Sequence, residues 1–272
     1  MDFTIITPSY NYGRFIGECL QSVADQSGVT FEHLVMDACS TDNTAEVIEM
    51  FPHATLHREP DKGMSDGINK GFEIARGDWV MWLNADDLLK PDALKSVLAF
   101  ADSVPIADVI FGCWDFMDED GNFLRRMTVF PYHRSMMANH GCYIASTSTF
   151  FRRKTTIDQG YFLNVRFRAV MDREYFCRLA AAGKRFVYFP KALADFRLHG
   201  SSISQKHIGS TDIDGVLSFQ LNEAESRAIR RVYGLCLFRD ELLNGIVEGV
   251  VSHCFRFLKF FLRAVYRSRT LD

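Results

Sequence analysis

Val80-Met81-Trp82-Leu83-Asn84-Ala85-Asp86-Asp87-Leu88-Leu89-Lys90-Pro91 ends an apolar run in an amide and two carboxylates. The run is too short for a helix and too apolar for a half-exposed strand, so it reads as a strand covered on both faces. A proline-led helix is expected to follow it. Three oxygen-bearing side chains therefore stand at the mouth of a buried strand. Either they cap the coming helix, or they hold a cation and what the cation carries.

The flanking sequence repeats this rhythm. Phe3 to Thr7 reads as a strand stopped by Pro8, Arg14 to Asp25 as a helix, and Phe31 to Asp37 as a second apolar strand. Asp42-Asn43-Thr44 offers caps for a helix reaching about Met50. Ala54 to His57 is a short third strand, Ser65 to Ala75 a helix, and Trp79 to Leu83 the fourth strand. Strands alternating with helices predict an α/β fold with a mainly parallel sheet and right-handed crossovers. Ligands of such sheets sit beyond the carboxyl ends of the strands. The polar clusters fall there: Thr7-Pro8-Ser9-Tyr10-Asn11, Asp37-Ala38-Cys39-Ser40 and Asn84-Ala85-Asp86-Asp87.

From about residue 101 the pattern changes. Ala107 to Phe116 and Asn122 to Thr128 read as a strand pair turning at Glu119-Asp120-Gly121. Pro131 to Gly141 has no period and reads as a mobile loop. Met171 to Ala182 has helical spacing ended by Gly183, and Arg185 to Phe189 is a short strand. The division expected is a first half at 1–100, a second half at 101–205, and a helical C-terminal extension at 206–272.

Composition excludes several classes. The 272 residues are 47% hydrophobic and 24% charged, enough for a sizeable core. A net charge of -3 argues against a nucleic-acid partner. Seven scattered cysteines without C-x-x-C fit a reducing compartment rather than a disulfide framework or zinc site. The first residues do not read as a signal peptide, and no window is apolar enough to span a membrane. Between Val247 and Arg269, Ser252, His253, Arg256, Lys259, Arg263 and Arg267 form one helical face, and the rest is largely apolar. That suits a helix lying on an anionic membrane surface, or a helix packed on protein with its cations solvated. Localisation is expected to be cytoplasmic, peripheral on the inner face of the plasma membrane.

Asp86 offers hard carboxylate oxygen to Mn2+ or Mg2+, which keep waters and take remaining ligands from phosphate. Asp37 can accept a bond from a base N–H, and Tyr10 offers a flat stacking surface. Each has a plainer use as a cap, loop carboxylate or half-buried ring. G-x-G-x-x-G and the P-loop pattern are both absent, which sets aside ordinary dinucleotide-binding and P-loop proteins.

Taken in order, Thr4-Ile5-Ile6-Thr7-Pro8-Ser9-Tyr10-Asn11, Val35-Met36-Asp37, Ser40-Thr41-Asp42-Asn43-Thr44, Glu59-Pro60-Asp61-Lys62-Gly63-Met64-Ser65-Asp66-Gly67, Ala75-Arg76-Gly77-Asp78 and Leu83-Asn84-Ala85-Asp86-Asp87 resemble family 2 glycosyltransferases of the GT-A fold. The resemblance implies an inverting transferase using a nucleotide-diphosphate sugar, with UDP favoured, and a divalent cation. Pro8 and Tyr10 would border the base, Asp37 bind it, and Lys62 and Asp66 lie near the nucleotide. Asn84 takes the ribose position of the family's D-x-D, and Asp86 the metal position. Met171-Asp172-Arg173-Glu174 resembles the acceptor half, with Asp172 as the base that takes the acceptor hydroxyl's proton. Phe196-Arg197-Leu198-His199-Gly200-Ser201-Ser202-Ile203-Ser204 resembles a closing segment, ordered by donor, whose His199 reaches metal or diphosphate. Departures are Ala38 and Met171, where family members often carry acidic residues.

The acceptor implied is a glycan, lipid-linked if the tail binds membrane, in surface polysaccharide assembly. Two other classes compete: a nucleotidyltransferase, and a non-catalytic nucleotide-sugar-binding assembly partner.

Overall fold

The structure is a computed structural model that describes residues 1–200 and 213–234. Its first half follows the alternating pattern: β1 (Phe3–Ser9), α1 (Ile16–Ala24), β2 (Phe31–Asp37), α2 (Thr44–Glu49), β3 (Ala54–Arg58), α3 (Met64–Ile74) and β4 (Trp79–Trp82). Then come β5 (Leu88–Leu89), α4 (Ala93–Ser103), β6 (Val109–Met117), β7 (Phe123–Met127), α5 (Arg134–His140), β8 (Thr149–Arg152), α6 (Met171–Ala181), β9 (Phe186–Arg197) and α7 (Ile213–Tyr233).

Among the described residues the strands form one nine-stranded sheet ordered β3-β2-β1-β4-β8-β6-β9-β5, with β7 paired to β6. The expected parallel sheet is β3-β2-β1-β4. Beyond it β8 runs antiparallel to both β4 and β6, while β9 is parallel to β6. Side-chain alternation sorts the core into two layers. Phe3, Ile5, Trp79 and Met81 join Cys19 and Val23 of α1 and Leu94 and Val97 of α4 on one face. Ile6, Val80 and Trp82 join Ile68 and Phe72 of α3, Tyr175 of α6 and Ile229 of α7 on the other. Trp82 stacks on Phe151 of β8 at 5.3 Å across the seam between the parallel and antiparallel parts.

β1 runs past Pro8 to Ser9 instead of stopping. On the β4 side its pairing ends at Ile6, and the side facing β2 is served by Thr7 and Ser9. Pro8 therefore lacks an N–H only where no partner needs one. β9 likewise extends from Phe186 to Arg197, well beyond the expected Phe189. Pro190 falls where the register to β6 slips between Gly112 and Cys113, a bulge that tolerates it.

Pro131 to Gly141 is not the irregular loop its sequence suggests, because residues 134–140 form α5. Met136, Met137 and Ala138 are buried, and Arg173 donates to the Met137 carbonyl at 2.8 Å and the Ala138 carbonyl at 2.8 Å. The carbonyls that a helix end leaves unpaired are taken by a distant arginine, which local periodicity cannot reveal. The amphipathic stretch 247–269, the rest of the extension at 206–212 and 235–272, and the end of the closing segment lie outside the described residues. No described helix is long and apolar enough to cross a membrane.

Candidate active site

The loops after β1 and β2 are stitched together. Asn11 and Cys39 both take left-handed backbone conformations, with φ of 58° and 62°. Asn11 Oδ1 accepts the Thr41 N–H at 2.8 Å, and Ser40 Oγ accepts the Asn11 N–H at 2.8 Å. Asp37 closes the same knot: it accepts the Ser40 hydroxyl and, at 2.9 Å, the Ser40 N–H, with Arg58 Nε 3.6 Å away. Its carboxylate is shut off from solvent. Pro8 is buried beside it, whereas Tyr10 projects outward with 58% of its surface exposed. The structure thus brings Pro8, Tyr10 and Asp37 to one rim, with Tyr10 open to a ligand and Asp37 held behind it.

At the end of β4, Asp86 and Asp87 are buried and Asn84 is half-buried. Asp86 Oδ2 lies 2.8 Å from Nε2 of His199, which follows β9. Phe15 and Tyr12 close over that imidazole, with ring centroids 4.6 and 6.3 Å from it. Asp87 accepts from Asn84 Nδ2 at 2.9 Å and from the Arg197 N–H at 3.0 Å. Burial and the neighbouring Asp86 charge push the Asp87 carboxyl well above the usual carboxylate range. Burial, then Asp86 and Asp87, hold the Tyr12 phenol neutral by raising its pKa. Asn84 Oδ1 is buried without a hydrogen-bond partner.

Arg197 is the residue the sequence reading passed over. Wholly buried, it donates to the Asp86 carbonyl at 2.9 Å, the Glu119 carbonyl at 2.8 Å and Glu18 Oε2 at 2.7 Å. A signal was present: Arg197 and His199 stand two apart in an extended segment and so share one side. Both reach the triplet, one from behind and one at its carboxylate.

These residues fit a divalent cation. Mg2+ takes oxygen ligands at about 2.0–2.1 Å in octahedral geometry, so adjacent ligands of one ion stand about 3 Å apart. The Asp86–His199 contact has that spacing as it stands hydrogen-bonded, and Asn84 Oδ1, two residues before Asp86, is a buried polar atom with no partner. Among the described residues no group of three His, Cys, Asp or Glu is placed to hold a metal. A two-ligand protein site suits an ion that keeps waters and is completed by phosphate.

Asp172 lies in the first turn of α6, half-buried, with Oδ1 accepting the Arg173 N–H at 2.7 Å. Burial pushes its carboxyl above the ordinary aspartate range, more than the Arg173 N–H and the neighbouring Cys142 thiol pull it down. The result is a carboxylate with raised proton affinity. Cys142 lies by Asp172 and Thr147 by Asp87, five residues apart in one segment. Such a stretch spans at most about 18 Å. One short segment therefore touches both carboxylate centres.

A cavity of about 510 Å3 opens between the start of α3 and the start of α6, lined by Lys62, Met64, Ser65, Phe167, Arg168 and Met171 among others. Lys62 faces it. Asp66 is used locally, accepting the Lys62 N–H at 3.0 Å. Ser65 Oγ donates to Met171 Sδ at 2.9 Å, and Asn69 exchanges bonds of 2.9 and 2.7 Å with the Leu163 backbone, which ties the two walls together.

Comparison with known proteins gives this geometry its context. The family described as "Glycosyl transferase family 2" matches residues 4–179. A "PGL/p-HBAD biosynthesis glycosyltransferase" of Mycobacterium tuberculosis is 31% identical over 179 residues, 64% of this chain and 67% of that protein. The "Putative teichuronic acid biosynthesis glycosyltransferase TuaG" of Bacillus subtilis is 32% identical over 133 residues, 47% of this chain and 52% of its own. Among solved structures, S. aureus TarS 1-349 in complex with UDP-GlcNAc superposes with a TM-score of 0.64 at 17% identity, covering 91% of this chain and 79% of that one. Mannosyltransferase PcManGT of Pyrobaculum calidifontis, in complex with GDP-Man and Mn2+, gives 0.57 at 14% identity, covering 99% and 86%. The mixed α/β sheet is the GT-A fold of such structures. With that family matched across most of its described sheet and helices, the chain belongs to glycosyl transferase family 2.

Proposed function

We propose that this chain is an inverting hexosyltransferase that moves one sugar from a nucleotide-diphosphate sugar, most readily a UDP-sugar, to a glycan acceptor carried on lipid, in surface polysaccharide synthesis. The observation that carries the reading is the Asp86–His199 contact of 2.8 Å at the end of β4, where Asn84 also has a buried oxygen without a partner. Support for the nucleotide comes from relatives in the fold: TarS binds UDP and UDP-GlcNAc, and PcManGT binds GDP-Man with Mn2+. Support for the pathway comes from the names of TuaG and of "Succinoglycan biosynthesis protein ExoO" of Rhizobium meliloti, 31% identical over 127 residues.

In this reading Tyr10 stacks on the base, with Pro8 and Asp37 behind it, and Asn84 meets the ribose. Lys62 and Asp66 border the nucleotide from the α3 side. Asp86 and His199 hold Mn2+ or Mg2+, which when bound supplies positive charge to the departing diphosphate. Asp172 takes the proton of the acceptor hydroxyl as that hydroxyl attacks the anomeric carbon, and its raised proton affinity suits the task. The cavity between Lys62 and Met171 holds the sugar and acceptor next to that base. Stretch 247–269 attaches the enzyme to an anionic membrane from the cytoplasmic side.

A thermal-shift panel of UDP, GDP and dTDP sugars, with and without Mn2+, tests the donor reading. Stabilisation reports preferential binding to the folded chain. A metal-dependent shift with one nucleotide, followed by release of free nucleoside diphosphate on turnover, is the expected result. Pyrophosphate release from a sugar phosphate and a nucleoside triphosphate would replace this reading with a nucleotidyltransferase. Lipid flotation that is the same for the full chain and for one ending near Asn244 would remove the membrane reading.

A further inference from the structure

The chain leading into α6 has no cap of its own. Arg168, Ala169 and Val170 present three successive backbone N–H groups, and no side chain of their own segment answers them. The answer comes from α7. Glu225, only 7% exposed, accepts from Arg168 at 2.8 Å, Ala169 at 2.9 Å and Val170 at 3.1 Å. Next to it Ser226 Oγ accepts from Arg173 Nη1 at 3.0 Å, and the Tyr233 hydroxyl donates to Glu174 Oε1 at 3.3 Å. Asp172 therefore lies between residue 170, fixed by Glu225, and residue 173, fixed by Ser226. Arg168 and Met171 of the same segment also wall the 510 Å3 cavity. All of α7 lies beyond the residues that match the family.

We propose that Glu225 is a positioning residue for the transfer step: its carboxylate sets the path of residues 168–170, and through them the position of the Asp172 carboxylate, one residue beyond the cavity wall at Met171. A buried carboxylate is costly unless its oxygens are met, and three converging N–H groups meet them. Two carboxylate oxygens with several lone pairs can serve three donors, whereas an amide offers one oxygen. The latch therefore depends on charge and reach together. Displacements of about 1 Å at a reacting group lower rates on the order of 100-fold. The inference rests on Asp172 being the base.

The test uses full-length Glu225→Gln, Glu225→Asp and Ser226→Ala, with Asp172→Asn in parallel and the nucleotide sugar that gives the largest metal-dependent shift. Expected for Glu225→Gln are a fall in kcat of about 10- to 100-fold per folded molecule, an unchanged KM for the donor, and a moved acid limb of the pH–rate profile. Amide exchange at residues 168–170 should rise while exchange at 84–87 does not. Glu225→Asp, a methylene too short, should not rescue, and Ser226→Ala should produce the same pattern more weakly. If Glu225→Gln fails to fold, Ser226→Ala decides by the same kcat, KM and pH readouts. Lower thermal stability with kcat per folded molecule and pH profile unchanged overturns the proposal. If Asp172→Asn keeps full activity, the assignment of the base is wrong and the latch falls with it; if Asp172→Asn is inactive while the latch variants turn over normally, only the latch is wrong.

Discussion

Replacing Asp172 by Asn separates catalysis from folding, and its size can be worked out beforehand. Asn keeps an oxygen where Oδ1 now accepts the Arg173 N–H at 2.7 Å, so the first turn of α6 retains its contact. Burial already disfavours the Asp172 charge. A neutral amide therefore removes a cost rather than adding one, and Tm should be unchanged or rise by no more than about 3 °C. Proton removal by a placed base contributes about 100- to 10,000-fold, so the variant should lose about 2.7–5.4 kcal/mol of transition-state stabilisation. Donor affinity should not move, because the triplet at β4 is untouched. The pH dependence has a defined sign. Activity needs the ionised form, and its pKa is raised, so kcat/KM of the wild type should fall at a pH above the ordinary aspartate value of 3.8. The same shift means that Asp172 subtracts stability as pH rises through its folded pKa, a loss that the Asn variant lacks. The assay is release of free nucleoside diphosphate under single-turnover conditions, with Tm measured on the same samples. Turnover within about threefold of wild type, with the acid limb intact, would falsify the role of Asp172.

Three further outcomes follow from the same geometry. His199→Ala should bind the nucleotide sugar but lose the Mn2+-dependent part of its thermal shift, which for the wild type at 100 times Kd amounts to about 2.7 kcal/mol; an unchanged metal response would remove His199 from the site. Arg197→Met leaves the Asp86 and Glu119 carbonyls without their donor, and at about 1–3 kcal/mol for each unmet group urea unfolding should show a loss of about 2–6 kcal/mol, with little contribution from half-exposed Glu18. At Glu32, burial works against the charge, but bonds from Arg76 and Thr4 outweigh it and lower the pKa. Wild-type stability should therefore decline as pH falls through that lowered value, whereas Glu32→Gln should lack this part of the slope in urea melts between pH 3 and 7.

The sequence alone determined the half of the fold whose signals are local. A buried parallel strand is an apolar run of fixed length, and its crossover helix carries its own period. β1 to β4 and the helices between them were therefore legible to within a few residues, as was the position of Asn84, Asp86 and Asp87 at a strand end. Expecting ligands beyond that end also followed from chain order, because parallel strands joined by crossovers all end on one edge of the sheet.

What only the tertiary structure decided involves partners far apart in the chain. α5 exists because Arg173 meets its last carbonyls, β9 continues past Pro190 because β6 slips in register there, and Glu225 caps residues 168–170 from 55 or more positions away. Asp86 meets His199 across 113 residues. Burial and satisfaction of polar groups are properties of surroundings, and surroundings are assembled by packing, which no local window of residues contains. For that reason Asp86 read equally well as a cap or a ligand in sequence, and its pairing with the imidazole of His199 could be seen only in space.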